Sequence, residues 1–256
     1  RSFDRSCILA DKRVIDAAKE PLWCASGTRQ IVLTTLTTTA LGNGPGLTAT
    51  PYVPDLDHFR GSYGAKNMMP LWRDRTASLP NLTTGLLDHL SDSLGSVITA
   101  EDFVAYVYGI AGTPAYTARF FDELGEGPGP IRIPLTADPV RFKAVAALGG
   151  ELLWWHTWGE RFTPTGVSEL PSGSATELEP VTEYPNDFNY SDGTLQVGTG
   201  QFGPVAQEVW DFEVSGLQVV KSWLGYRMWD RKGRKSSPLD DIRPEAWTFS
   251  EELLLL

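Results

Sequence analysis

The chain has 256 residues, 41% of them hydrophobic and 21% charged, and a formal net charge of -10. That balance is ordinary for a globular protein with a sizeable core and excludes a disordered or low-complexity chain. No apolar run approaches the roughly 18 residues of a membrane span, and the opening "RSFDRSCILADKR" lacks the apolar stretch of a secretory signal.

In chain order, "RQIVLTTLTTTA" (Arg29 to Ala40) predicts a strand, because β-branched residues dominate and Ile31 and Leu33 share one face. "GNGPG" (Gly42 to Gly46) predicts a turn, and the Pro- and Gly-rich run to Trp72 predicts short strands and loops. Helices begin near residue 83 with "TTGLLDHL". Thr99 with Asp102 three residues on has the spacing of a capping box, opening a helix through Phe103, Val104, Val107 and Tyr108. Thr113-Pro114 restarts a helix with Phe120, Phe121 and Leu124 facing inward. Asp138-Pro139 then caps a long helix. Its apolar face is Phe142, Val145, Ala146, Leu152 and Leu153, continued by His156, and Gly149 lets a neighbour come close. Residues 163 to 208 are poor in helix signal, with one strand at "TLQVGTG". "VWDFEV" alternates Trp210, Phe212 and Val214, and "GLQVVKSWLGYRMW" reads as a helix carrying Leu217, Val220, Trp223 and Leu224. These elements predict an α+β chain: a strand- and loop-rich part over 1–82, a helical scaffold over 83–160, and a β-and-helix part over 161–256 ending in a basic loop and a truncated helix.

Charge is uneven. Residues 1–75 hold ten Lys/Arg against seven Asp/Glu, net +3; residues 76–220 hold five against nineteen, net -14. Residues 221–243 hold seven against three, net +4, and the last thirteen residues add -3. A local basic block can neutralise phosphates even on an acidic protein. The two cysteines, Cys7 and Cys24, are too few for a disulfide framework and are expected to be half-buried thiols of a cytoplasmic protein. The start without methionine and the apolar end "SEELLLL" lead to the expectation of a piece cut from a longer polypeptide.

Catalytic signatures are missing. "GNGPG" does not open a helix, so it is no cofactor loop. His58, His89 and His156 are far apart and no zinc-type cysteine pair exists. The acids Asp55 and Asp230 approach a nuclease pattern only across about 175 residues, and there is no nucleophile elbow. Nine tryptophans could suggest a sugar site, but Trp154, Trp155, Trp210 and Trp223 sit at core-like positions. No catalytic or metal-binding residue is therefore assigned. Binding remains. Arg227, Arg231, Lys232, Arg234 and Lys235 fall within nine residues and are candidate phosphate ligands, with Ser236 and Ser237 as hydroxyl donors and Gly233 allowing close backbone approach. A solvated loop is the competing reading of that run. Arg60, Lys66, Asn67, Arg73 and Arg75 form a second set, of the residue types that read base edges in the major groove.

Several stretches together resemble a known family. "RSFDRSCILADKRVID" is similar to the segment following the methyltransferase core in large bacterial restriction–modification polypeptides, with Ser2 where a proline is usual. "GTRQIVLTT", "PDLDHFRG" and "PLWRD" match later blocks in order, and "ITAEDFVAYVYGIAGTPAYTARFFDEL", "IRIPLTAD" and "FKAVAALGGELLWWH" are the most specific. "EVWDFEVSGLQVVKSWLGYRM" and "GRKSSPLDDIRPEAW" close the match. The chain resembles the C-terminal specificity region of type ISP restriction–modification enzymes and related N6-adenine DNA methyltransferases. The resemblance implies recognition of double-stranded DNA, no catalysis by this stretch, and an upstream methyltransferase core that holds S-adenosylmethionine. Residues Thr163 to Phe202 are expected to vary most among relatives. The alternative is a protein–protein interaction module of a phage-defence complex, with the basic stretch meeting an acidic partner.

Overall fold

The structure, a computed structural model, describes residues 7–15, 19–37, 40–60, 67–125, 131–230 and 243–256. It groups into two units: Arg1–Leu170 with Val214–Gly216, and Pro171–Glu213 with Leu217–Leu256. The chain is α+β, as expected, and its first unit holds both a sheet and helices.

The reason is a common core. After the short helix α1 (Glu20–Cys24), β1 (Val32–Thr35) lies between β2 (Thr48–Thr50) and β3 (Asn67–Pro70) in an antiparallel sheet. Val32 opposes both Thr50 and Pro70, so Pro70 sits on an edge strand, where its missing N–H costs no ladder bond. Ile31, Leu33, Leu47 and Ala49 bury into the same cluster as Val104, Ala105, Tyr108 and Leu153. The strands cannot bury that face without the helices. On β1, Thr34 bonds Thr48 Oγ1 at 2.8 Å and His58 Nδ1 at 2.9 Å, so its buried hydroxyl is satisfied.

The helices of this unit are α2 (Leu86–Leu94), α3 (Ala100–Ala111), α4 (Pro114–Arg119), α5 (Phe121–Gly125) and α6 (Pro139–His156). The capping box of α3 forms: Asp102 N–H donates to Thr99 Oγ1 at 3.0 Å, and Thr99 N–H donates to the Asp102 carboxylate at 2.9 Å. Asp138 Oδ1 caps α6 through Val140 N–H at 2.9 Å, with Pro139 in the first turn. Where α3 and α6 cross, Gly109 and Gly149 face each other so closely that a Cβ on Gly149 would lie 1.8 Å from the Ala105 carbonyl oxygen. Tyr106 stacks on Phe142 with ring centroids 4.5 Å apart. Two expected core aromatics face water instead: Phe121 is 53% exposed and Trp155 41%. Cys7 and Cys24 are also exposed, not half-buried.

The second unit is built on the antiparallel sheet β4 (Thr176–Glu179), β7 (Gly200–Gly203), β6 (Thr194–Val197), β5 (Phe188–Ser191), in that spatial order. Asp192 and Gly193 both have positive φ and join β5 to β6 in a two-residue hairpin, the geometry that an Asp-Gly pair favours. Leu195, Val197 and Phe202 pack with Val220, Trp223, Leu224, Met228, Trp247 and Leu253. Trp210 ends a helical turn, α7 (Gln207–Trp210), and not the expected strand. The short strands β8 (Glu213–Val214) and β9 (Leu217–Gln218) follow. α8 (Val219–Arg227) starts two residues after Leu217, and α9 (Ser250–Leu255) ends the chain. The terminal leucines find their own partners, since Leu253 is buried and Leu254 and Leu256 pack against this unit's core. Among the described residues, no helix is long and apolar enough to cross a membrane.

Candidate nucleic-acid interface

In the first unit, Gln30 anchors a surface turn. Its amide donates to the Ala25 and Trp72 carbonyls, both at 2.8 Å, and its oxygen accepts from Trp72 N–H at 3.0 Å and Ile31 N–H at 3.2 Å. All four capacities of a buried side chain are thus met. Trp72 also donates Nε1–H to the Arg29 carbonyl at 3.1 Å. Arg161 reinforces this base by donating to the Gln30 carbonyl at 3.0 Å and the Gly27 carbonyl at 3.2 Å; partial burial lowers its pKa.

From this base the chain runs out and back. Arg73 N–H donates to the Leu79 carbonyl at 2.9 Å, and Trp72 bridges Pro80. The Asp74 carboxylate sits at the centre. It accepts from the Thr76 hydroxyl, from Ser78 N–H at 3.1 Å and Oγ at 2.9 Å, and from Leu79 N–H at 2.7 Å. The Thr76 hydroxyl and these further donors hold its pKa well below the usual carboxylate range. The turn lies flush on the segment beneath, because a Cβ on Gly27 would be 2.3 Å from the Arg75 carbonyl oxygen. It presents Arg73 and Arg75, both exposed. Arg73 Nε donates to Asn81 Oδ1 at 3.0 Å.

The other base candidates are placed differently. Asn67 opens β3, is half-buried and donates to the Thr37 hydroxyl. It lies at the opposite end of the extended run from Arg73, about 20 Å away at roughly 3.3 Å per residue. Arg60 is half-buried, and its Nε has no hydrogen-bond partner among the described residues. Lys66 lies outside the described residues, as do Arg231, Lys232, Arg234, Lys235, Ser236 and Ser237.

In the second unit Arg227 turns inward. Its side chain is only 13% exposed; the guanidinium stacks 3.7 Å from the Trp223 ring centroid, approaches Glu252 at 3.7 Å and donates to the Trp223 carbonyl at 3.3 Å. That geometry braces α8 against α9 and removes the guanidinium from the surface. The sheet of this unit is acidic. No Lys or Arg occurs from residue 162 to 220, and the sheet and its loops expose Glu177, Glu179, Glu183, Asp187 and Asp192.

Two buried histidines belong to the core. Burial pushes His58 down to about 3 and His156 down to about 4, and His156 Nδ1 meets the Tyr108 hydroxyl at 2.6 Å. No set of three His, Cys, Asp or Glu suited to a metal occurs among the described residues. A groove of about 800 Å³ between α3 and α6 is lined mainly by apolar side chains, including Ile98, Phe142, Ala146, Trp154 and Phe162.

Sequence reasoning missed Asp74 and Gln30. The run "DRTAS" does carry a signal, an aspartate with hydroxyl residues two and four positions on. Gln30 gives none, because its partner Trp72 is 42 residues away.

The model of the type ISP C-terminal specificity domain matches residues 1–256, so the chain belongs to that family. No curated protein matches the chain. Among solved structures, a DrdV–DNA complex is similar with a TM-score of 0.68 at 16% identity, covering 100% of this chain and 26% of that one. A nuclease-deletion mutant of the type ISP restriction–modification enzyme LlaGI, in complex with a DNA substrate mimic, gives 0.54 at 14% identity over 89% of this chain and 16% of that one. The ATP-dependent type ISP enzyme LlaBIII bound to DNA gives 0.55 at 12% identity, over 88% and 15%. At these identities the likeness is one of fold. The chain spans about a quarter or less of each of these proteins.

Proposed function

We propose that this type ISP C-terminal specificity domain recognises a sequence in double-stranded DNA, as the target recognition part of a restriction–modification or adenine methyltransferase polypeptide. The family match over residues 1–256 carries the reading. Its support is the preorganised turn around Asp74 and the likeness in fold to three proteins solved with DNA or a DNA substrate mimic. A fixed turn suits base reading because its arginines lose little freedom on docking.

Arg75, exposed at the tip, takes a guanine edge in the major groove, and Arg73 holds register on a phosphate. Asn67 serves the same duplex from the other end of β3, where a span of about 20 Å equals roughly six base pairs at 3.4 Å each, and Arg60 keeps its proposed role as a base reader. Arg227 is scaffold in this account, while Lys66, Arg231, Lys232, Arg234 and Lys235, with Ser236 and Ser237, keep their proposed DNA role. Docking sets the register in which an upstream core, with S-adenosylmethionine, flips out one adenine and methylates it. The domain supplies selection and that core supplies chemistry, in the cytoplasm.

The test compares duplex binding by wild type and by Arg75→Ala across salt concentrations. Loss of preference at one base position, with general affinity retained, is expected. Identical sequence preference in both proteins would refute Arg75 as a reader.

A further inference from the structure

Arg29 belongs to neither basic set that the sequence singles out, yet the structure places it beside the Asp74 turn. Gly27, two residues earlier, lies against that turn, where a Cβ would be 2.3 Å from the Arg75 carbonyl oxygen. The Arg29 carbonyl accepts from Trp72 Nε1–H at 3.1 Å. The guanidinium is held on two sides. It lies 5.1 Å from the Trp72 ring centroid, within cation–π range, and its Nη2 donates to the Glu101 carboxylate. Both supports are fixed. Trp72 is buried and bonded to Gln30 through its N–H and its carbonyl, and Glu101 sits in the first turn of α3 beside the Thr99–Asp102 cap. Yet the Arg29 side chain remains 57% exposed, and its Nε and Nη1 have no hydrogen-bond partner among the described residues.

Pairing with Glu101 decides what Arg29 can bind. An exposed ion pair adds little to stability, so its main effect is on the charge and freedom of the guanidinium. The pair carries no net charge. A phosphate drawn to the guanidinium also meets the Glu101 carboxylate, whose repulsion offsets the attraction. A base edge is neutral, and its acceptors take the remaining N–H donors without that repulsion. A planar guanidinium fixed over a ring and tied at one nitrogen also loses little freedom on docking. We propose that Arg29 is a specificity-determining residue that takes a guanine edge in the major groove, at a base position other than the one Arg75 reads, and that Glu101 is the positioning residue that holds it there and cancels its pull on phosphates. The inference rests on the DNA-recognition reading and adds a reader to it.

The experiment selects a randomised duplex pool on the purified chain and on its variants, then measures affinity for the recovered motif from about 50 to about 200 mM salt. Wild type should recover a motif with guanine preferred at a position that Arg75→Ala leaves intact. Arg29→Ala should lose that preference and bind the motif roughly tenfold more weakly, the scale of one lost bidentate base contact, with the salt slope unchanged. Glu101→Gln leaves the Thr99–Asp102 cap in place and gives an independent result if Arg29→Ala fails to fold. It should weaken the same preference and steepen the slope of log affinity against log salt by up to about 0.9, because the released Arg29 turns to phosphates. Neither shift follows from a purely structural ion pair. A motif recovered unchanged by both variants, or an Arg29→Ala slope shallower by about 0.9 with the preference kept, would overturn the Arg29 proposal and leave DNA recognition standing. A pool left unenriched by wild type would overturn both.

Discussion

Adjacent glycines in α6 should respond to alanine with opposite signs. At Gly149 an added Cβ would lie 1.8 Å from the Ala105 carbonyl oxygen and 2.6 Å from Gly109 N, against 3.4 Å for ordinary contact. Both obstacles are backbone of α3, so no rotamer change relieves them and the helices must separate. Overpacking of this kind costs about 3 kcal/mol, and alanine's better helix propensity returns only about 1. Gly149→Ala should therefore lose about 2 kcal/mol or more. At Gly150 the nearest atom is Phe162 Cδ1 at 3.7 Å, an ordinary contact, so only the propensity gain remains. Gly150→Ala should gain about 0.5–1 kcal/mol. Urea unfolding reads the gap: about 3 kcal/mol at a slope of roughly 2–3 kcal/mol/M separates the midpoints by about 1 M. Equal midpoints, or a more stable Gly149→Ala protein, would refute the backbone-to-backbone crossing of α3 and α6.

Acid sensitivity should come from the core. The folded pKa values of His58 and His156 lie below the usual 6.5, so stability is full above about 6.5 and falls as pH drops toward the folded values of about 3 and 4. At pH 5 each histidine should cost about 2 kcal/mol, and a flat unfolding profile between about pH 7.5 and 5 would contradict their burial as neutral rings. Asp74→Ala should blur DNA preference at the position Arg75 reads while thermal melting shifts little; sharp preference in that variant would show that the turn needs no carboxylate. Arg73→Ala should reduce the slope of log affinity against log salt by about 0.9, and an unchanged slope would remove Arg73 from the phosphate contacts. Arg227→Ala should lower stability more than DNA affinity, read by urea unfolding beside duplex titration; the reverse order would restore it as a DNA ligand.

Features set by local chemistry were legible in the sequence. Thr99 with Asp102, Asp138 with Pro139, and Gly149 on an otherwise apolar face each announce a cap or a close approach within one helix. Features set by distant partners were not. Arg227 reads as part of a basic run because the rings and carboxylate that capture it, Phe249 and Glu252, lie more than twenty residues later. Trp229 reads as helical because "SWLGYRMW" stays apolar past the point where α8 ends at Arg227. Periodicity separates strands from helices, but it does not reveal that Leu33 and Leu153 share one core.

Selection of a randomised duplex pool on the chain, at about 50 and about 200 mM salt, tests DNA recognition most directly. The account predicts a recovered motif whose affinity falls steeply with salt, and whose preference at one position disappears in Arg75→Ala. An unenriched pool with no retained DNA at either salt would contradict it.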